Sequence, residues 1–375
     1  MDEIMVAIGL ISGTSADGID AVVIRSDGID APEVLQYLEN PYPASVRQEV
    51  LDLYNPGPDE IERMGRLDRV LGELFAKAAL GVCKAADLSP SQIDVIGSHG
   101  QTIRHRPPDF TMQIANPAII SARTGIKTIA DFRQADMALG GEGAPLLPLL
   151  HKLLFSRKGE SCGILNLGGI ANLTVLSPDG EVVVAGDTGP ANTLLDMLVT
   201  KINGLDSVEH CFDAGGEGAG AGNVDLQALQ WLLGHDYFSK SFPKSTGREV
   251  FGLDYLDKFL SVFPNLSNND GLATLTRFSV ETIGIACEKL FFTDTYQLVL
   301  CGGGAHNPTM IRMLQDRLPT VNIVTSHEMK VNVDSLESQY FAWSAIRTLK
   351  GLCSSVPEAT GAKKAAILGT ITAAL

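Results

Sequence analysis

The chain has 375 residues, 45% hydrophobic and 19% charged, which suits two folded domains with sizeable cores and excludes a fibrous or disordered protein. A net charge of −15 argues against nucleic acid and anionic membranes as partners. No apolar run approaches the ~20 residues of a membrane span, the acidic start Asp2-Glu3 is unlike a secretory leader, and the six scattered cysteines (Cys83, Cys162, Cys211, Cys287, Cys301 and Cys353) show no zinc or disulfide spacing, so a reduced, cytoplasmic setting is expected.

Residues 4–11 are an apolar, β-branched run that predicts a strand. The run breaks at Ser12-Gly13-Thr14-Ser15-Ala16-Asp17-Gly18 and resumes over 19–24, which predicts a hairpin with a small-residue tip. A third strand is expected over 34–37. Helices are expected over 43–54 and 59–86, the second with Met64, Leu67, Leu71, Leu74, Phe75 and Ala78 at helical spacing. Short strands follow over 93–96, ending in Ser98-His99-Gly100-Gln101, and over 126–130, ending at Asp131. The pattern then restarts. Residues 163–176 again read strand, glycine turn, strand, with a third strand over 181–185. Helices follow at about 190–202, 223–233 and 271–292, then a buried strand over 298–301 that runs into Gly302-Gly303-Gly304, then helices at about 306–317, 337–350 and 364–375.

Strand-turn-strand-strand-helix-strand-helix-strand therefore occurs twice, the mark of an internal duplication. Two like α/β domains facing a central cleft are expected: residues 1–130, joined by a C-terminal helix over 362–375, and residues 131–361. Ligands of such folds sit beyond the strand ends. A crossing between the domains is expected within 130–143, where Gly140, Gly141 and Gly143 suit a hinge.

Three turns carry chemistry. In SGTSADGID (12–20) main-chain N–H groups could form an anion nest, with Ser12, Thr14 and Ser15 as added donors. Asp17 or Asp20 could hold Mg²⁺ through water. The alternative is an ordinary hairpin turn, for which Gly, Ser and Asp are suited in any case. The turn is no Walker A loop, because no Gly-Lys-Ser/Thr follows. NLGGIANLT (166–174) has the same build, and as a plain turn it would need positive φ at Gly168 and Gly169. Gly302-Gly303-Gly304 would let an adenine ring lie against bare backbone. Asp187, before Thr188-Gly189-Pro190, is either a helix N-cap or a carboxylate projecting into the cleft.

These turns resemble the two phosphate loops and the adenosine loop of the actin-like ATPase and sugar kinase superfamily, whose two domains are ribonuclease H-like. Seven motifs in order, ISGTSADGID, SHGQTIRHRP, ADFRQADMALGGEGAPLLP, NLGGIANLT, GDTGPANTLLD, FPKSTGRE and CGGGAHN, resemble the anhydro-N-acetylmuramic acid kinase family over nearly the whole chain. Ile11, Gly186, Ala191 and the stretch 354–359 depart from the family's usual residues. The resemblance implies ATP as co-substrate with Mg²⁺ at Asp17 and Asp20. It implies nucleotide binding by Gly13, Thr14, Ser15, Ala16, Asp17, Gly18, Ile19, Asp20, Gly168, Gly169, Asn172, Gly302, Gly303 and Gly304, and a homodimer. It makes Asp187 a general base for water attack on C1 of a 1,6-anhydro-sugar, after which O6 takes the γ-phosphate. Glu337 is implied to line the sugar pocket, although by itself it reads as a helix-start Glu. His99 and Gln101 could hydrogen-bond sugar groups, or His99 could be a satisfied strand-end residue. Arg133 could meet a lactyl carboxylate, or pair with Asp131 or Asp136. The remaining histidines, His105, His151, His210, His235, His306 and His327, lack metal spacing, and the segment 244–249 has no assigned chemistry.

Competing readings are a kinase of a simpler anhydro-sugar such as levoglucosan, a nucleotide-gated module without catalysis, and a glycosidase pairing Asp187 with Glu337, which would have no use for three nucleotide loops.

Overall fold

The computed structural model describes residues 3–204, 212–291, 296–326, 328–329, 331–332 and 334–374. In chain order the elements are β1 (Met5–Ser12), β2 (Gly18–Ser26), β3 (Glu33–Pro41), α1 (Ala44–Leu53), α2 (Glu60–Ala85), β4 (Val95–Arg106), β5 (Phe110–Ile114), α3 (Pro117–Thr124), β6 (Thr128–Ala130), α4 (Gln134–Ala138) and α5 (Pro148–Phe155). There follow β7 (Cys162–Leu167), β8 (Ile170–Leu176), β9 (Val182–Pro190), α6 (Thr193–Asn203), α7 (Glu217–Ala221), α8 (Leu226–Leu233), α9 (Leu253–Val262), α10 (Asn268–Leu290), β10 (Gln297–Cys301), α11 (Pro308–Arg317), β11 (Asn322–Thr325), α12 (Leu336–Leu349), α13 (Pro357–Thr360) and β12 (Thr370–Thr372).

Two compact units result. Unit 1 is Met1–Leu154 with Asp334–Leu375, and unit 2 is Phe155–Val333. The sheet of unit 1 runs β12-β6-β4-β1-β2-β3, with β5 beside β4, and that of unit 2 runs β11-β10-β7-β8-β9. In both, an antiparallel three-strand meander (β1-β2-β3; β7-β8-β9) is extended from its first strand by two parallel strands (β4 and β6; β10 and β11). This third-second-first-fourth-fifth order, made twice, is the duplicated ribonuclease H-like fold of the actin-like ATPases. The central strands β1, β7 and β10 are largely buried and read as near-continuous apolar runs, whereas β4 opens with Val95-Ile96 and carries mostly Gly and polar residues beyond.

Sequence pattern decides what covers each sheet. Along α2, Leu67, Leu71, Phe75, Ala78, Ala79 and Val82 recur at helical spacing and pack with Ile8, Leu10, Ala21 and Val23 in one buried cluster. Each such side chain, fully buried, contributes about 1.5–3 kcal/mol. α12 lies on the strands themselves. A Cβ at Gly9 of β1 would overlap the Ser338 carbonyl oxygen, and one at Gly97 of β4 would overlap that of Phe341. Only glycine lets the helix backbone come so close. In unit 2, α10 is buried around most of its circumference, with Leu275, Phe278, Val280 and Ile283 set among Leu165, Leu173, Leu298 and Leu300.

Several expectations are corrected. The chain leaves unit 1 after Leu154, not at residue 130, and returns at Asp334, not at 362. Residues 131–154 stay in unit 1 because Asp136 ties them to the returning chain. Its carboxylate accepts from Gly143 N (2.9 Å) and Thr360 Oγ1 (2.7 Å), and Glu142 N donates to Thr360 O (2.8 Å). The glycine segment 140–143 is thus a braced loop inside one unit and carries no crossing. The expected helix over 364–375 is absent. Gly369, at φ 90°, packs where a Cβ would come 2.5 Å from Ile129 Cγ2, and Thr370-Ile371-Thr372 pair antiparallel with β6. An available sheet edge overrides the helical propensity of the Ala- and Leu-rich stretch. β4 also runs on through His99 and Gln101 instead of stopping before them. The five described cysteines are free thiols, and Cys211, His210 and His327 lie outside the described residues. No described helix is long and apolar enough to cross a membrane.

Candidate active site

In unit 1 the turn between β1 and β2 is built from its own backbone and fastened from beside it. Ala16, at φ 55°, turns the chain while its N–H donates to Gly13 O (3.1 Å). Gln101, fully buried midway along β4, is the fastener: Oε1 accepts from Ser12 Oγ (2.6 Å), and Nε2 donates to Gly13 O (3.0 Å) and to Tyr54 Oη (3.2 Å). Tyr54 in turn donates to Thr14 O (2.9 Å). Ser12 and Gln101 are therefore both hydrogen-bonded in shaping the loop. Ala16 and Ile19 turn their side chains into the core. Thr14, Ser15 and Asp17 are left at the accessible tip, where Arg47 Nε stands 3.6 Å from Asp17 Oδ1.

Beside this loop the β1–β4 pairing slips by one residue. Leu10 faces Ser98 and Ile11 faces Gly100, so His99 is the bulged residue, and bulges re-aim side chains. His99 Nδ1 lies 3.2 Å from Gly100 O, which fits a proton on Nδ1, and Nε2 accepts from Arg133 Nε (3.0 Å). Its ring packs on Phe341 at 4.6 Å. Burial, and then the Arg133 charge, hold His99 well below its ordinary range, so it is a neutral acceptor. Arg133 also donates to Gly143 O (2.8 Å). Its guanidinium is thus oriented by two neutral groups, while Asp136, one of the expected salt-bridge partners, is committed to Gly143 and Thr360.

Two carboxylates share this region of unit 1. Glu337, in the first turn of α12, is pushed above its ordinary range by burial, with Arg133 pulling the other way. Asp20, on β2, is pushed up to about 7 by burial, against a hydrogen bond from Tyr37 Oη (2.8 Å); the charges of Glu337, Glu39 and Asp334 add to the rise. Neighbouring negative charge that raises a carboxylate in this way would stabilise a cation placed there. Among the described residues no three acidic, His or Cys side chains gather to ligate a metal directly.

In unit 2 the second hairpin repeats the plan with different residues. Asn192 Nδ2 donates to Leu167 O (3.0 Å) and Gly168 O (2.8 Å), and the N–H groups of Ala191 and Thr193 bond Gly169 O. Neither Gly168 nor Gly169 has positive φ. Glycine at 169 serves close approach instead, since a Cβ would stand 2.6 Å from Thr193 Oγ1. β7 and β10 pair in parallel with Asn166 opposite Cys301, so the Gly302–Gly304 turn rises next to this hairpin. Gly302 has φ 77°, and a Cβ on it would overlap Asn166 Oδ1, whereas Gly303 faces open space.

Asp187 lies within β9, and α6 starts later with Asn192 at its N-cap position, so Asp187 is no helix cap and Pro190 ends a strand. Here too the register slips: Ala171 faces Gly189 and Asn172 faces Asp187, leaving Thr188 bulged. Asp187 Oδ1 accepts from Asn172 Nδ2 (2.9 Å) and Oδ2 from Thr246 N (2.8 Å), its N–H donates to Lys244 O (2.8 Å), and its carbonyl accepts from Tyr237 Oη (2.6 Å). Asn172 thus orients Asp187 through its Nδ2. A carboxylate held in this way has a fixed direction, and a carboxylate oxygen is the kind of group that can accept a proton from water.

Each unit thus holds its own candidate residues: Gly13–Asp20, His99, Gln101, Arg133 and Glu337 in unit 1, and Gly168, Gly169, Asn172, Asp187 and Gly302–Gly304 in unit 2. Tyr37, Tyr54, Asn192 and the Lys244–Thr246 segment were not assigned from sequence. Asn192 and Lys244–Thr246 stood inside quoted motifs, whereas Tyr37 and Tyr54 leave no sequence signal.

A family model described as "Anhydro-N-acetylmuramic acid kinase" matches residues 5–374. The anhydro-N-acetylmuramic acid kinase of Shewanella halifaxensis (strain HAW-EB4) is 42% identical over 366 residues, covering 97% of this chain and 97% of its own length. That of Shewanella pealeana (strain ATCC 700345 / ANG-SQ1) is 41% identical with the same coverage. Among solved structures, component A of the Acidaminococcus fermentans (R)-2-hydroxyglutaryl-CoA dehydratase aligns over 92% of this chain and 99% of its own, at 12% identity and a TM-score of 0.47.

Proposed function

We propose, for a chain that belongs to the anhydro-N-acetylmuramic acid kinase family, that it opens the 1,6-anhydro bridge of 1,6-anhydro-N-acetylmuramic acid with water and phosphorylates O6 with ATP, giving N-acetylmuramic acid 6-phosphate and ADP. Within the molecule the observation that carries this reading is Asp187: a carboxylate on a bulged strand, both oxygens held by neutral donors, neither a cap nor a core residue. Asp187 takes a proton from water as that water bonds to C1. The C1–O6 bond breaks, its electrons pass to O6, O6 attacks the γ-phosphorus, and ADP leaves. The proton on Asp187 returns to solvent.

Arg133 supports the muramic acid over a simpler anhydro-sugar. A guanidinium aimed by His99 and a carbonyl is preorganised for a carboxylate such as that of the lactyl group. Glu337, partly buried beside it, is a sugar-facing carboxylate. In unit 1 the hydroxyls of the tip residues Thr14 and Ser15 offer donors to phosphate oxygens, and in unit 2 Gly168–Gly169 and Gly302–Gly304 offer bare backbone to the nucleotide. Mg²⁺ fits Asp20, whose neighbours leave excess negative charge, better than Asp17, which faces Arg47. Bound there, Mg²⁺ would neutralise phosphate charge. The product and substrate place the enzyme in cell-wall sugar recycling, and a cytoplasmic homodimer is the assembly that the resemblance implies.

The direct test is ADP release with Mg-ATP and a panel of anhydro-sugars. Release should require sugar and be fastest with the muramic acid; equal release with and without sugar would overturn the kinase reading. A second expectation concerns Asp20. Mg²⁺ must displace a proton there, so the Mg²⁺ concentration giving half-maximal rate should fall as pH rises from about 6 to 8, through the value of about 7. Asp20→Asn should flatten that dependence, and an unchanged slope in the variant would remove Asp20 from the Mg²⁺ site.

A further inference from the structure

The segment Lys244-Ser245-Thr246-Gly247-Arg248-Glu249 closes on Asp187 from one side. Lys244 O takes the Asp187 N–H, and Thr246 N reaches its carboxylate two residues later. Gly186, next to Asp187, shows how tight the fit is: a Cβ there would come 2.8 Å from Lys244 O and 2.9 Å from Phe242 Cδ1. The Lys244 side chain is buried as well, which is uncommon for an ammonium. Its Nζ stands 4.3 Å from the Tyr237 ring centroid, 5.0 Å from that of Phe242 and 5.9 Å from that of Phe238, and donates to Tyr237 O (3.2 Å). Tyr237 itself bonds the Asp187 carbonyl through its hydroxyl. Ring faces and a carbonyl stabilise the cation without neutralising it.

We infer that Lys244 is a positioning residue for the base: its boxed ammonium keeps the Asp187 carboxylate in the proton-accepting form, and its carbonyl fixes the strand that carries it. The inference rests on Asp187 being the base. The charged and titratable groups around Lys244 are Asp187 on β9, Lys289 on α10, and Lys240 and Tyr237 on the chain before it, with Glu249 acting on Tyr237. Burial, and then the like charges of Lys289 and Lys240, lower Lys244 to about 8, against Asp187, which raises it. Lys244 therefore remains charged in the acidic range, where a carboxylate base gains most from nearby positive charge.

The experiment is the pH profile of kcat/KM for Lys244→Met, which fills the aromatic box without charge. Loss of the cation should move the acidic limb upward by about half to one pH unit, read as about 3–10-fold lower activity on the acidic side of the limb's midpoint and less than about twofold on the plateau above it. Lys244→Arg should restore the limb. A loss equal at all pH values, or a limb that stays in place, would overturn the inference and leave Lys244 a packing residue. If Lys244→Met does not fold, Lys244→Gln gives the same comparison. Asp187→Asn separates the two levels: an inactive Asp187→Asn with an unmoved Lys244→Met limb sinks the role of Lys244 alone, and an active Asp187→Asn sinks the reading beneath it.

Discussion

Asp187→Asn should lower kcat by about 10²–10⁴-fold, the range that general-base catalysis supplies. The amide keeps the shape and can still accept from Thr246 N through its oxygen, but it takes no proton from water. The loss should extend to every anhydro-sugar tested, because water attack on C1 is common to all. Nucleotide affinity, followed by titration with a non-hydrolysable ATP analogue, should change little, since Gly168–Gly169 and Gly302–Gly304 are shaped by Asn192, Asn166 and Leu167 rather than by Asp187. In oxygen-18 water the wild-type label should enter C1 of the product and not the phosphate. Label in the phosphate, or near-normal turnover by Asp187→Asn, would remove Asp187 from the bond-breaking step.

Gly9→Ala should be the most damaging small substitution in unit 1. The new methyl would occupy the space of the Ser338 carbonyl and lie 2.9 Å from Ala342 N, so α12 must lift off β1. Both contacts are backbone, so no side chain can swing aside. A cost of about 3 kcal/mol is expected, the upper part of the usual overpacking range. For a unit of this size that is a fall in Tm of about 6–12 °C. Glu337 sits one residue before Ser338, so the shift should also raise KM for sugar at temperatures where the variant is folded. Scanning calorimetry and sugar titration check both. A Tm within about 2 °C of wild type would mean that α12 has room the structure does not show.

The repeated strand order was readable because buried central strands leave continuous β-branched runs, and two such hairpins broken by small residues do not arise by accident of composition. The division of the chain was not readable. What keeps residues 131–154 with unit 1 is Asp136 reaching Thr360, a bond across 224 positions that no local pattern announces. At the site, the residue types at Asp187, His99 and Arg133 were visible, but their aim was not: one-residue slips in strand pairing fall at His99 and beside Asp187, and Arg133 is turned by bonds to His99 and Gly143. Gln101 is expected at a ligand as a polar residue ending a strand, and Asn172 as part of a phosphate loop that the resemblance implies. In the structure the Gln101 amide bonds the first hairpin, 88 positions away, and the Asn172 amide bonds the Asp187 carboxylate, contacts that no local pattern announces.

The chain leaves unit 1 after Leu154 and returns to it only at Asp334, and this sets an order of events during synthesis. When the first 154 residues have emerged, the β1–β4 face is still bare at Gly9 and Gly97, because α12 has not been made. At about 5–20 residues per second, the roughly 180 residues of unit 2 take about 10–40 s to follow. Unit 2, continuous in sequence, can fold as soon as it is complete, whereas unit 1 waits with an open apolar sheet for its closing helix. The first half of the polypeptide to be translated is therefore the last to be finished, and nascent chains stalled between residues 155 and 333 are the ones most in need of a chaperone.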